Sequence, residues 1–188
     1  MKNCDYKTGK RIISITGTPG TGKTTLAEKL AQKLNAEIIN LTGIVNKNNL
    51  YAGIDKERDA KIVDEFQLKK FVVNLIETKF PDSENIIIEG LLSHFMPATH
   101  IIVLRTSPGV LKKRLELRGY SKAKVKENLD AEFLGVCLEE SLWCKNILEL
   151  DTTGNVNLNL ILNWLKEGGR IIKEIDRAED FCEVLGEF

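Results

Sequence analysis

The chain has 188 residues, 43% of them hydrophobic and 29% charged, which fits one compact globular domain. Its 27 basic side chains balance 27 acidic ones. That balance argues against a protein whose main task is to coat nucleic acid, and no direct nucleic-acid site is evident. No apolar run approaches the roughly 20 residues that cross a bilayer, and the opening residues MKNCDYKTGKR hold no apolar signal core. The expected location is cytoplasmic, or nuclear in a eukaryote, with no membrane partner. Cys4, Cys137, Cys144 and Cys182 form no CxxC pair and stand apart from His94 and His100, so zinc-ligand spacing is absent. Cys137 and Cys144 share one face of an expected helix and read as buried small hydrophobes.

Short apolar runs alternate with helix-period segments along the chain, the signature of a parallel α/β sheet. Ile12–Thr16 reads as the first strand, Thr24–Leu34 as a helix with Leu26, Leu30 and Leu34 on one face, and Glu37–Asn40 as a second strand. Leu41–Lys61 is polar and irregular. Asp64–Lys79 is helical, with Phe66, Phe71, Val72, Leu75 and Ile76 as core candidates, and Pro81 with Asp82 stops it. Asn85–Glu89 is a third strand, apolar on both faces and therefore central. His100–Arg105 is a fourth, and a helix follows from Pro108. After the Gly119–Tyr120 break a longer helix covers roughly Lys122–Cys144. Asn146–Asp151 is a fifth strand and Asn157–Lys166 the closing helix, ended by Gly168–Gly169. The tail Ile171–Phe188 spaces Ile171, Ile175, Ala178, Cys182 and Leu185 as an amphipathic helix. It either packs on the domain or serves as an acidic extension for a partner.

Residues 17–25 read GTPGTGKTT, which matches Gly-x4-Gly-Lys-Ser/Thr between a strand and a helix. Glycines let the backbone curl around a phosphate with its N–H groups inward, and the helix dipole adds positive potential there. In this pattern Lys23 reaches the β- and γ-phosphates, the Thr24 hydroxyl ligates Mg²⁺, and Thr25 contacts the α-phosphate. Glu89 ends the strand beside that loop, where an acid holds the water shell of magnesium or a substrate. Arg105 ends the fourth strand and is expected to face the same crevice. Arg114 and Arg118 lie on one helix face, and Arg118 precedes the Gly119–Tyr120 hinge. Such arginines stabilise the charge of a transferring phosphoryl group.

A small GTPase needs Asn/Thr-Lys-x-Asp, and Asn46-Lys47-Asn48-Asn49 lacks the final Asp. A motor or AAA-type ATPase needs more chain or further motifs. The small-kinase class remains.

Within it the chain resembles the adenylate kinase isoenzyme 6 family and its archaeal counterparts, adenylate kinases or broad-specificity nucleoside-monophosphate (NMP) kinases. The similarity runs from about Ile12 to Trp164. It is carried by GTPGTGKTTLAEKLA, by IVDE at 62–65, by FMP at 95–97, and above all by HIIVLRTSPGVLKKRLELRGYSKAKVKENLDAEF. The resemblance implies one P-loop NTPase domain over 1–188 with a five-stranded parallel sheet flanked by helices. It implies an NMP-binding insertion at about 40–63, a short LID at about 117–127 and a C-terminal extension at about 170–188. It assigns ATP binding to Gly20, Gly22, Lys23, Thr24 and Thr25, with Arg118 reaching the nucleotide from the LID. Two features depart from the pattern. Where eukaryotic members carry Asp-x-His, this chain has Glu89 and Leu91, so a mechanism resting on that histidine does not carry over. The insertion also shows no evident arginine for the acceptor phosphate; Asn46, Lys47 and Arg58 stand nearby.

The expected reaction is ATP + AMP ⇌ 2 ADP with Mg²⁺, extending to other NMPs and NTPs. Lys23, Glu89 and Arg118 are the expected catalytic residues, and Thr24 with Glu89 the metal side of the site. The resemblance also implies a role in small ribosomal subunit maturation and rRNA processing, through binding a small-subunit ribosomal protein. The alternatives are a ribosome-assembly ATPase or binding factor, and a kinase of another small acceptor.

Overall fold

Arg11–Thr16 forms β1, whose isoleucines alternate between the two faces of a sheet. The computed structural model describes residues 9–56, 60–172, 178–186 and 188. In chain order follow α1 (Lys23–Leu34), β2 (Glu37–Asn40), α2 (Leu41–Asn48), β3 (Gly53–Asp55), β4 (Ala60–Ile62), α3 (Glu65–Lys79) and β5 (Asn85–Glu89). Then come β6 (His100–Arg105), α4 (Pro108–Leu117), α5 (Lys122–Phe133), α6 (Val136–Ser141), β7 (Ile147–Asp151), α7 (Leu158–Glu167), β8 (Arg170–Ile171) and α8 (Ala178–Leu185).

The main sheet has the order β2-β5-β1-β6-β7-β8, and every pairing is parallel. β1 and β5 are central and apolar on both faces, so helices must cover both sides. On one side Ile13, Ile15, Ile87, Ile102 and Leu148 pack against α1 and α7 through Leu26, Leu30, Ile161 and Trp164. On the other, Ile12, Ile86 and Ile88 pack against α2 and α3 through Leu41, Val45, Leu68, Val72 and Ile76. Burying one such side chain is worth about 1.5–3 kcal/mol. Parallel order brings all the strand C-termini to one edge. Thr16, Asn40, Glu89, Arg105 and Asp151 end their strands there.

Among the described residues the sheet has six strands rather than the expected five. The extra strand β8 is only two residues long; it is paired by Ile147↔Arg170 and Leu148↔Ile171 after the Gly168–Gly169 turn. So short a strand has no periodicity to read. The segment expected to be irregular holds α2 and the antiparallel β3–β4 hairpin. The long helix expected over Lys122–Cys144 is broken after Phe133 by Gly135, whose backbone is left-handed (φ 63°). Phe66, expected in the core, is 72% exposed. Asp64 caps α3 by accepting from the Phe66 and Gln67 amides, and the buried stripe is Leu68, Val72 and Ile76.

The tail helix α8 is docked on the domain. Phe181 is buried among Leu111, Leu115, Val125 and Leu129, with Val184 and Leu185 against them. Only part of the expected stripe packs here: Leu185 does, Cys182 is exposed, and Ile175 lies outside the described residues. Cys137 and Cys144 do share a core with Ala98, Ile101, Val103 and Ile147. Burial pushes the Cys137 thiol up to about 11, an inert side chain, whereas Cys144 is disulfide-bonded and so is no free hydrophobe. Among the described residues no helix is long and apolar enough to cross a membrane.

Candidate active site

Between Thr16 and Lys23 the chain makes a tight loop that only small residues can line. A Cβ on Gly17 (φ 138°) would stand 2.6 Å from the Leu104 carbonyl oxygen; one on Gly20 (φ 94°) would stand 2.9 Å from Leu111 Cδ1. Gly22 caps α1, and the first-turn amides of that helix have no partner within it. A concave loop of inward N–H groups at a helix N-terminus fits a phosphate chain.

Lys23 folds back over the loop. Its Nζ donates to the Gly17 carbonyl at 2.7 Å and the Thr18 carbonyl at 2.9 Å. Burial lowers its pKa from 10.5 to about 8, with the Glu89 charge partly opposing the shift. The folded value lies below the unfolded one. Between about pH 8 and 10.5 the unfolded chain therefore binds more protons, and this group adds stability as pH rises through that window. Phosphate needs the ammonium form. ATP affinity is accordingly expected to fall above about pH 8, approaching tenfold per pH unit, with a proton taken up on binding. Calorimetric titration in two buffers of different ionisation enthalpy reads that proton directly. Affinity that stays constant through the window, with no proton uptake, would reject this role for Lys23.

Thr24 and Glu89 meet across the crevice. The Thr24 hydroxyl lies 3.3 Å from each Glu89 oxygen. Asn40, which ends β2, donates its amide to Glu89 Oε1 while its Oδ1 accepts the Gly43 amide as the N-cap of α2. Glu89 is 3% exposed, and burial raises its pKa; Lys23 and the bonds from Thr24 and Asn40 oppose that shift. Adjacent hydroxyl and carboxylate oxygens are the hard donors that Mg²⁺ takes alongside phosphate and water. Thr24 and Glu89 therefore fit the ion and would hold it. When bound, it neutralises charge on phosphate oxygens. Among the described residues no three His, Cys, Asp or Glu gather into a metal site of their own.

Beside the loop opens a cavity of about 320 Å³ lined by Gly20, Gly22, Thr25, Arg114, Arg118 and Asn155. The two arginines have separate tasks. Arg114 is a bolt: it donates to the Gly20 carbonyl at 3.3 Å and the Thr152 carbonyl at 3.0 Å, tying the loop to the end of β7. Arg118 is exposed where α4 ends, just before Gly119 (φ 76°). Arg105 does not offer itself to the crevice as expected. Its guanidinium is held by Glu132 at 2.8 Å and Glu149 at 2.7 Å, which makes it a structural cation. In the insertion, Asn46 accepts from Lys61 at 2.6 Å and Lys47 is exposed, while Arg58 lies outside the described residues.

Three residues carry more of this site than sequence reading suggests. Asn40 precedes a capped helix, a readable N-cap signal hidden by the polar composition of α2. Glu132 has no local signal at all; it is one acid in a charged helix. His94 was placed only by the fold: its Nδ1 lies 2.7 Å from Thr16 Oγ1 and its Nε2 2.9 Å from Glu140 Oε2. It is 1% exposed and does not line the cavity beside the loop, and Leu91 is half exposed.

A strand–loop–helix phosphate cradle at the C-terminal edge of a parallel sheet, with an acid on the neighbouring strand and arginines on the next helix, defines a P-loop phosphotransferase of the small-kinase class. The comparisons narrow it. A family model described as "AAA domain" matches residues 13–135, from β1 through the α4–α5 hairpin. A "Putative adenylate kinase" of Methanocaldococcus jannaschii is 41% identical over 171 residues, covering 91% of this chain and 93% of its own. A protein of the same description from Pyrococcus furiosus is 43% identical over 180 residues, covering 93% and 95%. A solved structure described as a putative kinase from Chloroflexus aurantiacus shares the fold at 20% identity, with a TM-score of 0.53 over 86% of this chain and 96% of that one. The chain belongs to the family of these archaeal adenylate kinases, and the protein is a nucleotide kinase.

Proposed function

We propose that the protein transfers the γ-phosphate of ATP to AMP, ATP + AMP ⇌ 2 ADP, with Mg²⁺, and accepts other nucleotides more slowly. An oxygen of the acceptor phosphate attacks the γ-phosphorus, the bond to the β–γ bridging oxygen breaks, and its electron pair leaves on ADP. The protein supplies position and charge rather than covalent chemistry. One observation carries this reading: Glu89 is bonded both to Thr24 on the donor loop and to Asn40 at the root of the 40–63 insertion. A single carboxylate thus stands between a triphosphate seat and a second, acceptor-side element. The names of the archaeal relatives support AMP as that acceptor.

A coupled assay with ATP against a panel of NMPs, beside a no-acceptor ATPase control, tests it. Turnover fastest with AMP is expected. Hydrolysis equal with and without every acceptor would replace it with an ATPase, and transfer only to a different small acceptor would reassign the role of the 40–63 insertion. The cytoplasm is the setting this reading implies.

Arg118→Ala is expected to lower turnover about 10–10²-fold with little change in melting temperature, because an exposed residue at a hinge meets phosphate only on closure. A large loss of stability with normal activity would make it a packing residue instead. The partnership with a small-subunit ribosomal protein rests on the resemblance alone. The acidic tail that favoured it is in part the docked helix α8.

A further inference from the structure

Glu132 lies in the last turn of α5 and is 2% exposed, yet it is ionisable and does not line the cavity beside the loop. Buried carboxylates are rare unless hydrogen-bonded on several sides. This one is held by three residues of two elements. Its Oε2 accepts the hydroxyl of Thr18, in the phosphate loop, at 2.6 Å. Its Oε1 accepts Arg105 Nε at 2.8 Å and the Thr106 amide at 3.1 Å, both at the end of β6. The Glu132 carbonyl takes a further bond from Arg105 at 2.6 Å.

Those positions are the two feet of one hairpin. α4 leaves β6 just after Thr106, runs out to Arg118, and α5 returns to Glu132. The turn carrying Arg118 is about 16 Å from Glu132 along α5 at 1.5 Å per residue. On the loop side the link continues. The Thr18 carbonyl accepts Lys23 Nζ at 2.9 Å and the Thr21 hydroxyl at 2.8 Å. One residue therefore joins the buried carboxylate at the base of the hairpin to the lysine that meets phosphate. A displacement of the loop relative to the hairpin base would leave a buried carboxylate oxygen unpaired, which is costly. The two move as one body.

We propose that Glu132 is a positioning residue that couples ATP seating in the phosphate loop to closure of the Arg118 turn, acting through the Thr18 hydroxyl. This rests on the reading of the crevice as an ATP site. Cutting the link at Thr18 takes the hydroxyl from Glu132 Oε2 but keeps the charge paired, because Arg105 still holds both Glu132 and Glu149.

The test compares Thr18→Val, which removes the hydroxyl and keeps the shape, with Thr18→Ser, which keeps the hydroxyl. In Thr18→Val, kcat is expected to fall roughly tenfold while the Kd of ATP changes less than about threefold; Thr18→Ser stays within about twofold of wild type. Adding Glu132→Gln to Thr18→Val is expected to cost no more than the worse single change, because both act through one bond. Hydrogen exchange reads the coupling without turnover. In the wild type ATP is expected to slow exchange in both the 17–23 loop and the 118–121 turn; in Thr18→Val the loop is expected to stay protected and the turn to lose its protection. Wild-type kcat in Thr18→Val, multiplicative losses in the double variant, or a turn still protected by ATP would each overturn the proposal. A wild type that binds ATP but phosphorylates no NMP sinks the proposed reaction instead. The exchange experiment still decides the role of Glu132.

Discussion

Lys23→Ala is expected to lower phosphoryl transfer by roughly 10²–10³-fold, about 3–4 kcal/mol of transition-state stabilisation, and to leave the fold intact. Both halves follow from its surroundings. Its ammonium is the cation that the loop holds over its own cradle, through the Gly17 and Thr18 carbonyls. It contributes no apolar packing, and its burial works against its charge, drawing the pKa down to about 8. Removing a buried cation whose charge is disfavoured does not cost stability at neutral pH, and the Thr18 carbonyl keeps the Thr21 hydroxyl. The measurement is initial rate at saturating ATP beside a thermal melt. A well-folded variant that keeps more than half the wild-type rate would remove Lys23 from the mechanism.

Glu89→Gln is expected to cut turnover by about 10–10²-fold while ATP binding changes little, the range seen when the groups that orient a metal's ligands are altered. Gln has the same shape and can still accept from Thr24 or Asn40, but it cannot attract a divalent ion. The folded pKa of Glu89 is raised by burial, so its ionised form costs stability at pH values above its folded pKa. The variant is therefore expected to melt at the same temperature or higher. Loss of activity with retained stability, together with a higher Mg²⁺ requirement, identifies a functional acid. An unchanged rate and unchanged Mg²⁺ dependence would make Glu89 a structural partner of Asn40 and nothing more.

Local features of the chain carried the phosphate loop. Glycines at 17, 20 and 22 followed by Lys23 and Thr24 report backbone geometry and charge within a few residues, and a strand before and a helix after are readable from periodicity. The parallel interior strands were legible for a similar reason: isoleucine runs apolar on both faces must be covered by helices on both sides. Arg105 and the tail depend on distant contacts, Phe66 on a local cap. Arg105 ends a strand exactly as Glu89 does in sequence terms, but Glu132 and Glu149 reach it from 27 and 44 residues away and neutralise it. Phe66 looks like core by composition, and the Asp64 cap turns it outward. The stripe read for the tail leaves out Phe181, and the apolar surface of α4 and α5 takes Phe181 as its buried residue.

What this sequence determined by itself is the phosphate loop, because such a loop is made of consecutive backbone. What only the tertiary structure decided is how that loop is wired. Asn40 lies at the root of the 40–63 segment and joins it to the loop through Glu89, and Glu132 joins the loop to the hairpin of Arg118. Both links are side-chain bonds between residues 49 and 114 positions apart. No local pattern encodes such a bond; it exists only because a parallel sheet delivers the ends of all its strands to one edge.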